Sequence, residues 1–411
     1  FEDSGELASS LLCFMMSELE SDLFAVEFLR LFCNITENGI NFSSELCVKN
    51  TTVFFANMTR NYPKFVLKMF GLCTAFFQQE NYSLRNTLLD CINSIIVDKK
   101  IESNQESTFK SLLNIVIERT QDINAYVRSK SLSILSSICI AGQLPALVLS
   151  LVWKKSTERL CDKTSIVRKR ALILLSDILK NHPFNFDGGE LNEKYFQSKI
   201  ARLDKIVEEL EKPEPDLIQH KNAHASESVS EQIDKLMVQK RYYSEAAEFS
   251  GFISQVLESV ADYFIFCPNK TEVNEAIEFI SICHVLKVSG SQEILAKILP
   301  LVWSKDSTGD ESNKRSIREH LLNSLSILLF EGSNSEQVAC NLENFYEIFA
   351  VKHSYQDCVE EIFVLFLEKK FINKQVFLNL WNHLSLPERR NNSIAVLCMC
   401  SDGIEATFGI E

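Results

Sequence analysis

Glycine and proline are scarce in this chain, at 12 and 8 of 411 residues, and no strand–turn–strand run of the Asn-Gly kind stands out. Those residues punctuate sheets and tight turns, so their scarcity argues against a sandwich or a barrel. Leu, Ile, Phe, Ser and Glu dominate, and the composition reads as all-α. Catalytic signatures are missing as well: there is no G-x-x-x-x-G-K, G-x-G-x-x-G, H-E-x-x-H or G-x-S-x-G. The seven histidines are dispersed, and His220 and His224, four apart, have no Cys or carboxylate at matching spacing. Acidic runs such as Glu208-Glu209-Leu210-Glu211 read as the solvated face of a charged helix. The chain is therefore read as non-enzymatic, with no catalytic, cofactor or metal residues assigned.

Positive charge is not in excess either. The formal net charge of −13 argues against wholesale coating of nucleic acid. The longest apolar run, 144–153, is too short and too interrupted to span a bilayer. The 13 cysteines are odd in number and scattered, with no C-x-x-C. Cys91 and Cys139 fall on apolar stripes, so the set is expected to be reduced core residues of an intracellular protein, not disulfides or zinc ligands. The first residue is Phe1, not Met, and a further helix begins near Ile394; both fit an internal piece of a longer polypeptide.

What is present is a repeat. Asp122-Ile-Asn-Ala-Tyr-Val-Arg-Ser-Lys130 is echoed forty residues later by Asp162-Lys-Thr-Ser-Ile-Val-Arg-Lys-Arg-Ala171. Asp122, Val127 and Arg128 match Asp162, Val167 and Arg168. An apolar stripe follows each Arg: Leu132, Leu135 and Ile138, then Leu172, Leu175 and Ile178. Upstream, Leu84-Arg85 leads to Leu89, Ile92 and Ile95; downstream, Ile317-Arg318 leads to Leu322, Leu325 and Leu328. Spacings of three and four place each stripe on one helix face. A two-helix unit of about forty residues is the mark of a HEAT-type array, an α-solenoid in which every pair buries its apolar face on the next.

The Asp precedes the second helix of its pair, where a carboxylate accepts from free N–H groups and favours the positive helix end. The Arg lies against that dipole and needs a partner. A ladder of Asp–Arg pairs along adjacent repeats supplies one, expected to be rim pairs worth at most about 1 kcal/mol each. The Asp position is occupied by Gln79 in the upstream copy and Ser312 in the downstream one.

Read in order, 1–80 is a set of diverged helical repeats with helices near 11–19, 22–35, 43–60 and 62–77. The clear Asp…Val-Arg marks lie in 81–186. Within that range, 144–160 is a first helix with Pro145 in its first turn. Residues 187–231 form a charged helix, 191–211, and a polar mobile linker. Further HEAT-type helices fill 232–411, with a second polar insert at 304–313. One local charge exception stands out. Lys154, Lys155, Arg159, Lys163, Arg168, Lys169 and Arg170 face only Glu158 and Asp162, a local balance of +5 around one inter-helix turn. Lys154, Lys155, Arg159, Lys163, Lys169 and Arg170 are the candidates for a DNA or acidic-partner contact, against the alternative of a solvated rim.

The marked segments resemble the condensin complex subunit 1 family, the HEAT-repeat subunits of condensin I. The residues carrying the resemblance are Glu118 to Lys130, Arg159 to Ala171, Asn181-His-Pro-Phe184, Tyr242-Tyr243, Glu275-Ala-Ile-Glu-Phe279 and Leu299-Pro-Leu-Val-Trp-Ser-Lys-Asp306. The resemblance implies a non-catalytic scaffold subunit that binds the kleisin and sits near the SMC ATPase heads. It implies DNA or histones as further partners, and neither a membrane nor a small-molecule substrate. It also implies a place in the nucleus and on chromosomes, with a cytoplasmic pool, in mitotic chromosome condensation. The alternatives are another HEAT scaffold, such as a nuclear transport receptor or the second-condensin subunit, and the helical wing of a large HEAT-containing kinase.

Overall fold

The computed structural model describes residues 45–78, 80–98, 106–185, 188–211, 223–304 and 316–401, with Glu27 and Arg30. Every regular element among them is helical, and the fold is an all-α solenoid of helix pairs. The helices expected at 11–19 and 22–35 fall almost wholly outside the described residues, as do Gln79, Ser312 and His220. No helix among the described residues is long and apolar enough to cross a membrane. The chain divides into two compact units, Phe1–Asn181 and His182–Glu411.

In the first unit α1 (Glu45–Asn61), α2 (Pro63–Cys73), α3 (Tyr82–Val97), α4 (Glu106–Arg119), α5 (Ala125–Ile140), α6 (Ala146–Glu158) and α7 (Ser165–Lys180) follow one another. The helices α1, α3, α5 and α7 stack in sequence as one row, while α4 packs on α5 and α6 on α7. The matched stripes supply the seam: Leu89, Ile92, Ile95, Leu132, Leu135, Ile138, Leu172, Leu175 and Ile178 are all 0% exposed. The position before each stripe, Leu88, Ser131 or Ala171, is buried too. Ser131 satisfies its hydroxyl on the Val116 carbonyl of α4, so a polar atom in the seam carries no desolvation penalty.

Helix entry differs in detail from expectation. Pro145 occupies the N-cap of α6 with φ −67 and ψ 139, one position outside the first turn, where its fixed φ suits extended backbone and its missing N–H is not called on. The helix stops at Glu158 and tightens into a 3₁₀ turn, Arg159–Cys161.

The second unit contains α8 (Glu193–Glu211), α9 (Ala223–Phe264), α10 (Lys270–Val285), α11 (Ser291–Ile298), α12 (Ile317–Phe330), α13 (Ser335–Phe345), α14 (Gln356–Glu368), α15 (Lys374–His383) and α16 (Arg390–Met399). Helix α9 runs for 42 residues. It starts inside the stretch expected to be a mobile linker, because 223–231 contains neither Gly nor Pro and extends a helix anchored downstream. Residues 212–222 of that stretch lie outside the described residues. The element α8 packs along α9, α9 on α10, and α10 on α12. Pro300 converts the end of α11 into a 3₁₀ turn, Leu299–Trp303. In the fourth marked copy Leu322 and Leu325 are buried but Leu328 is only half-buried, and Leu329 takes the core place. A step of four residues from Leu325 is also close to one helical turn, so Leu329 stays on the buried face.

Two of the segments quoted for the family resemblance converge at the start of this unit. Phe184 packs on Tyr242 and Phe249 at 5.6 and 5.5 Å between ring centroids. Tyr243 lies 6.3 Å from Phe196. Between them Leu191 is fully buried and tied twice: its N–H donates to the Leu286 carbonyl at 2.6 Å, and its carbonyl accepts from Ser250 Oγ at 2.6 Å. The His182-Pro-Phe184 and Tyr242-Tyr243 marks are therefore one aromatic joint that clamps the lead-in to α8 against α9.

Candidate interaction surface on the marked repeats

The inter-helix turns of the first unit line up along one edge, and their chemistry repeats. Arg85 Nη2 donates to Asp122 Oδ1 at 3.0 Å. One repeat later, Arg128 grips Asp162 with both arms, Nε to Oδ2 at 2.8 Å and Nη2 to Oδ1 at 2.9 Å. Each Arg also closes its own turn: Arg128 Nη1 donates to the carbonyls of Asp122 and Ile123, and Arg168 Nη1 to those of Asp162 and Lys163. Each Asp holds the turn from inside, accepting the N–H of Asn124 or Thr164. The helix N–H groups themselves are not served by the Asp. In α5 that role belongs to Asn124, which accepts from Tyr126 N at 2.8 Å.

The ladder exists, but it is not a rim feature. The Asp122 and Asp162 side chains are 3% exposed, Arg85 is 6% and Arg128 13%. Burial by itself would raise the Asp162 carboxyl; the hydrogen bonds from Arg128 and Thr164 overcome it and hold the group at about 2. A pair this deep is a poor substitute for apolar packing, yet costly to break from one side. In the second unit Arg318 reaches Glu361 of α14 at 2.8 Å. Both partners are over a third exposed, so the weaker surface pairing foreseen applies there.

Between successive turns lie two equivalent open clefts, of about 380 and 390 Å³. Their walls match position for position: Arg85, Glu118, Arg119 and Asp122 in one, Arg128, Glu158, Arg159 and Asp162 in the other. Ile123, 93% exposed, forms part of both. Beside them Tyr82 and Tyr126 stack at 5.3 Å.

The basic cluster is only partly gathered here. Lys155 is held by Glu158 at 3.1 Å, and Arg159 lies 3.6 Å from Asp162. Those two charges are answered locally. Lys163 is exposed at the cleft mouth, Lys154 and Arg170 are exposed on α6 and α7, and Lys169 is half-buried.

No family model matches the sequence. Curated proteins do. Condensin complex subunit 1 of Schizosaccharomyces pombe is 23% identical over 98% of this chain and 38% of its own length. The Saccharomyces cerevisiae protein of the same name is 23% identical over 92% of this chain and 37% of its own. Condensin-1 complex subunit CAP-D2 of Arabidopsis thaliana is 24% identical over 88% of this chain and 28% of its own. The chain resembles condensin complex subunit 1 along nearly its whole length. It spans less than two-fifths of these relatives. Solved structures with a similar chain path include Kap121p bound to Nup53p, at 12% identity over 96% of this chain and 39% of that one, TM-score 0.41. Importin beta in an ammonium sulfate condition matches at 14% over 93% and 45%, TM-score 0.37.

Sequence reasoning found the Asp and Arg of each turn but missed the second guanidinium. Arg119 and Arg159 stand three residues before Asp122 and Asp162, the same interval in both copies, at 3.5 and 3.6 Å from the carboxylate. That interval was the available signal. It moves Arg159 from the pool of ligand-facing cations into the ladder.

Proposed function

We propose that this chain is an internal portion of a non-catalytic HEAT-repeat scaffold subunit of condensin. The observation that carries it is similarity to condensin complex subunit 1 over 98% of the chain, at 23% identity. The repeat physics supports the reading. Stacked helix pairs bury their apolar surface on each other and leave a periodic polar edge, which suits holding an extended segment of another chain. The partners proposed are the kleisin and the SMC ATPase heads, in the nucleus and on chromosomes. Lys154, Lys163 and Arg170 form the DNA or acidic-partner contact, with Lys169 as supporting charge, while Lys155 and Arg159 stay with the acids of their own turn.

Co-purification of this chain with a condensin kleisin fragment tests the reading. Retention at low and physiological salt is expected. Failure to associate at low salt, while a transport GTPase is bound, would favour the transport-receptor alternative and end this one.

A further inference from the structure

The second unit brings three different metal-ligating atoms together. Glu336 and Cys340 are one turn apart on α13, and His383 closes α15. Their carboxylate oxygen, sulfur and ring nitrogen all lie within 4.8 Å of one another. A tetrahedral Zn²⁺ sets its ligand atoms roughly 3.3–3.6 Å apart, given bonds of about 2.0–2.3 Å, so shifts of about 1 Å bring the three atoms to one ion. We propose that Glu336, Cys340 and His383 bind a single Zn²⁺-class ion, with solvent as fourth ligand, pinning α15 to α13.

The surroundings favour this reading over a chance encounter. His383 Nδ1 lies 2.7 Å from Glu343 Oε1, and Nε2 lies 2.8 Å from Glu336 Oε1. A carboxylate behind one ring nitrogen fixes the tautomer that offers the other to a metal, the usual outer partner of a ligating histidine. Glu343 is itself buried and accepts from Ser393 Oγ, which is also buried. The imidazole, the carboxylate behind it and the hydroxyl behind that form one ordered chain. At the front, Glu336 is 59% exposed, which gives an ion and a water their path.

One group competes. Arg389 Nη1 donates to Cys340 Sγ and lies 3.4 Å from Glu343 Oε2. Its side chain is 43% exposed, so it can leave for solvent when the metal arrives. Binding also displaces protons: the ion takes the place of the Nε2 hydrogen that faces Glu336 and of the thiol hydrogen of Cys340, both released to solvent. The mixed S, N, O donor set fits a borderline ion such as Zn²⁺ and not a hard cation such as Mg²⁺ or Ca²⁺.

Titration of the reduced 411-residue chain with Co²⁺ as the spectroscopic probe decides the matter. One equivalent should produce a near-ultraviolet thiolate-to-cobalt band, lost on adding Zn²⁺. Cys340→Ser should abolish the band while leaving helix content unchanged. Should that variant lose its fold, Glu336→Gln, at an exposed position, should weaken binding instead. Glu343→Gln should keep the band and weaken binding about 10–100-fold, and Arg389→Ala should tighten it. Absence of a thiolate band, or a band that persists in Cys340→Ser, overturns the assignment.

Discussion

Asp162 shows how a single carboxylate can join two repeats. It receives Arg128 from the preceding repeat and Thr164 from its own turn, with its own side chain only 3% exposed. Asp162→Asn keeps the shape but strands the guanidinium of Arg128, so it should cost about 3 kcal/mol, read as a lower denaturation midpoint and faster hydrogen exchange in α5 and α7. The pH dependence follows from the depressed pKa. Because the folded value, about 2, lies below the ordinary carboxylate value, the contribution is complete above about pH 4. It is lost as pH falls from there towards 2, and is on the order of 2 kcal/mol. The stability gap between wild type and Asp162→Asn should therefore narrow on acidification through that window. A constant gap would show that the ion pair is not its source. Cysteines behave differently at this scale: burial pushes the thiols of Cys91 and Cys139 up to about 11, which keeps them inert packing atoms.

The element that carries the first unit is the row α1, α3, α5, α7, and its seam is the place to test it. Leu132→Ala and Leu172→Ala each remove a fully buried side chain from that seam. Each should cost on the order of 2–5 kcal/mol, measured by urea unfolding; a loss within noise would mean the seam can collapse around the gap. The stripes were legible because helix geometry repeats every three or four residues, whatever the partner. Their depth was legible as well, except at Leu328. There a single further step, to Leu329, depends on how α12 meets its neighbours. The reach of α9 was not legible. Its first turns are polar, and a polar stretch becomes helical only when a packed helix downstream has already met the cost of nucleation.

For the molecule as a whole, the question is what a net-acidic chain does with its local basic patch. Lys154→Glu, Lys163→Glu and Arg170→Glu together should leave helix content intact and weaken duplex DNA binding, most at low salt. The slope of log affinity against log salt should fall by about one for each phosphate that is no longer neutralised. An unchanged slope would assign these residues to a solvated rim. The corresponding change at Lys155 or Arg159 is a worse test, since each already answers an acid in its own turn.

The sequence alone determined the all-α class and the stripe positions, which follow from local spacing on a helix, and the repeat with its Asp–Arg ladder, which follows from the forty-residue period. Tertiary structure decided what spacing cannot express. It set the depth of the Asp–Arg ladder, drew Arg159 out of the basic patch, and joined Phe184 to Tyr242 across 58 residues. It also brought Glu336 and Cys340 to His383, more than forty positions away. Burial and long-range meeting are properties of stacked elements, and no residue carries them until its neighbours in space are in place.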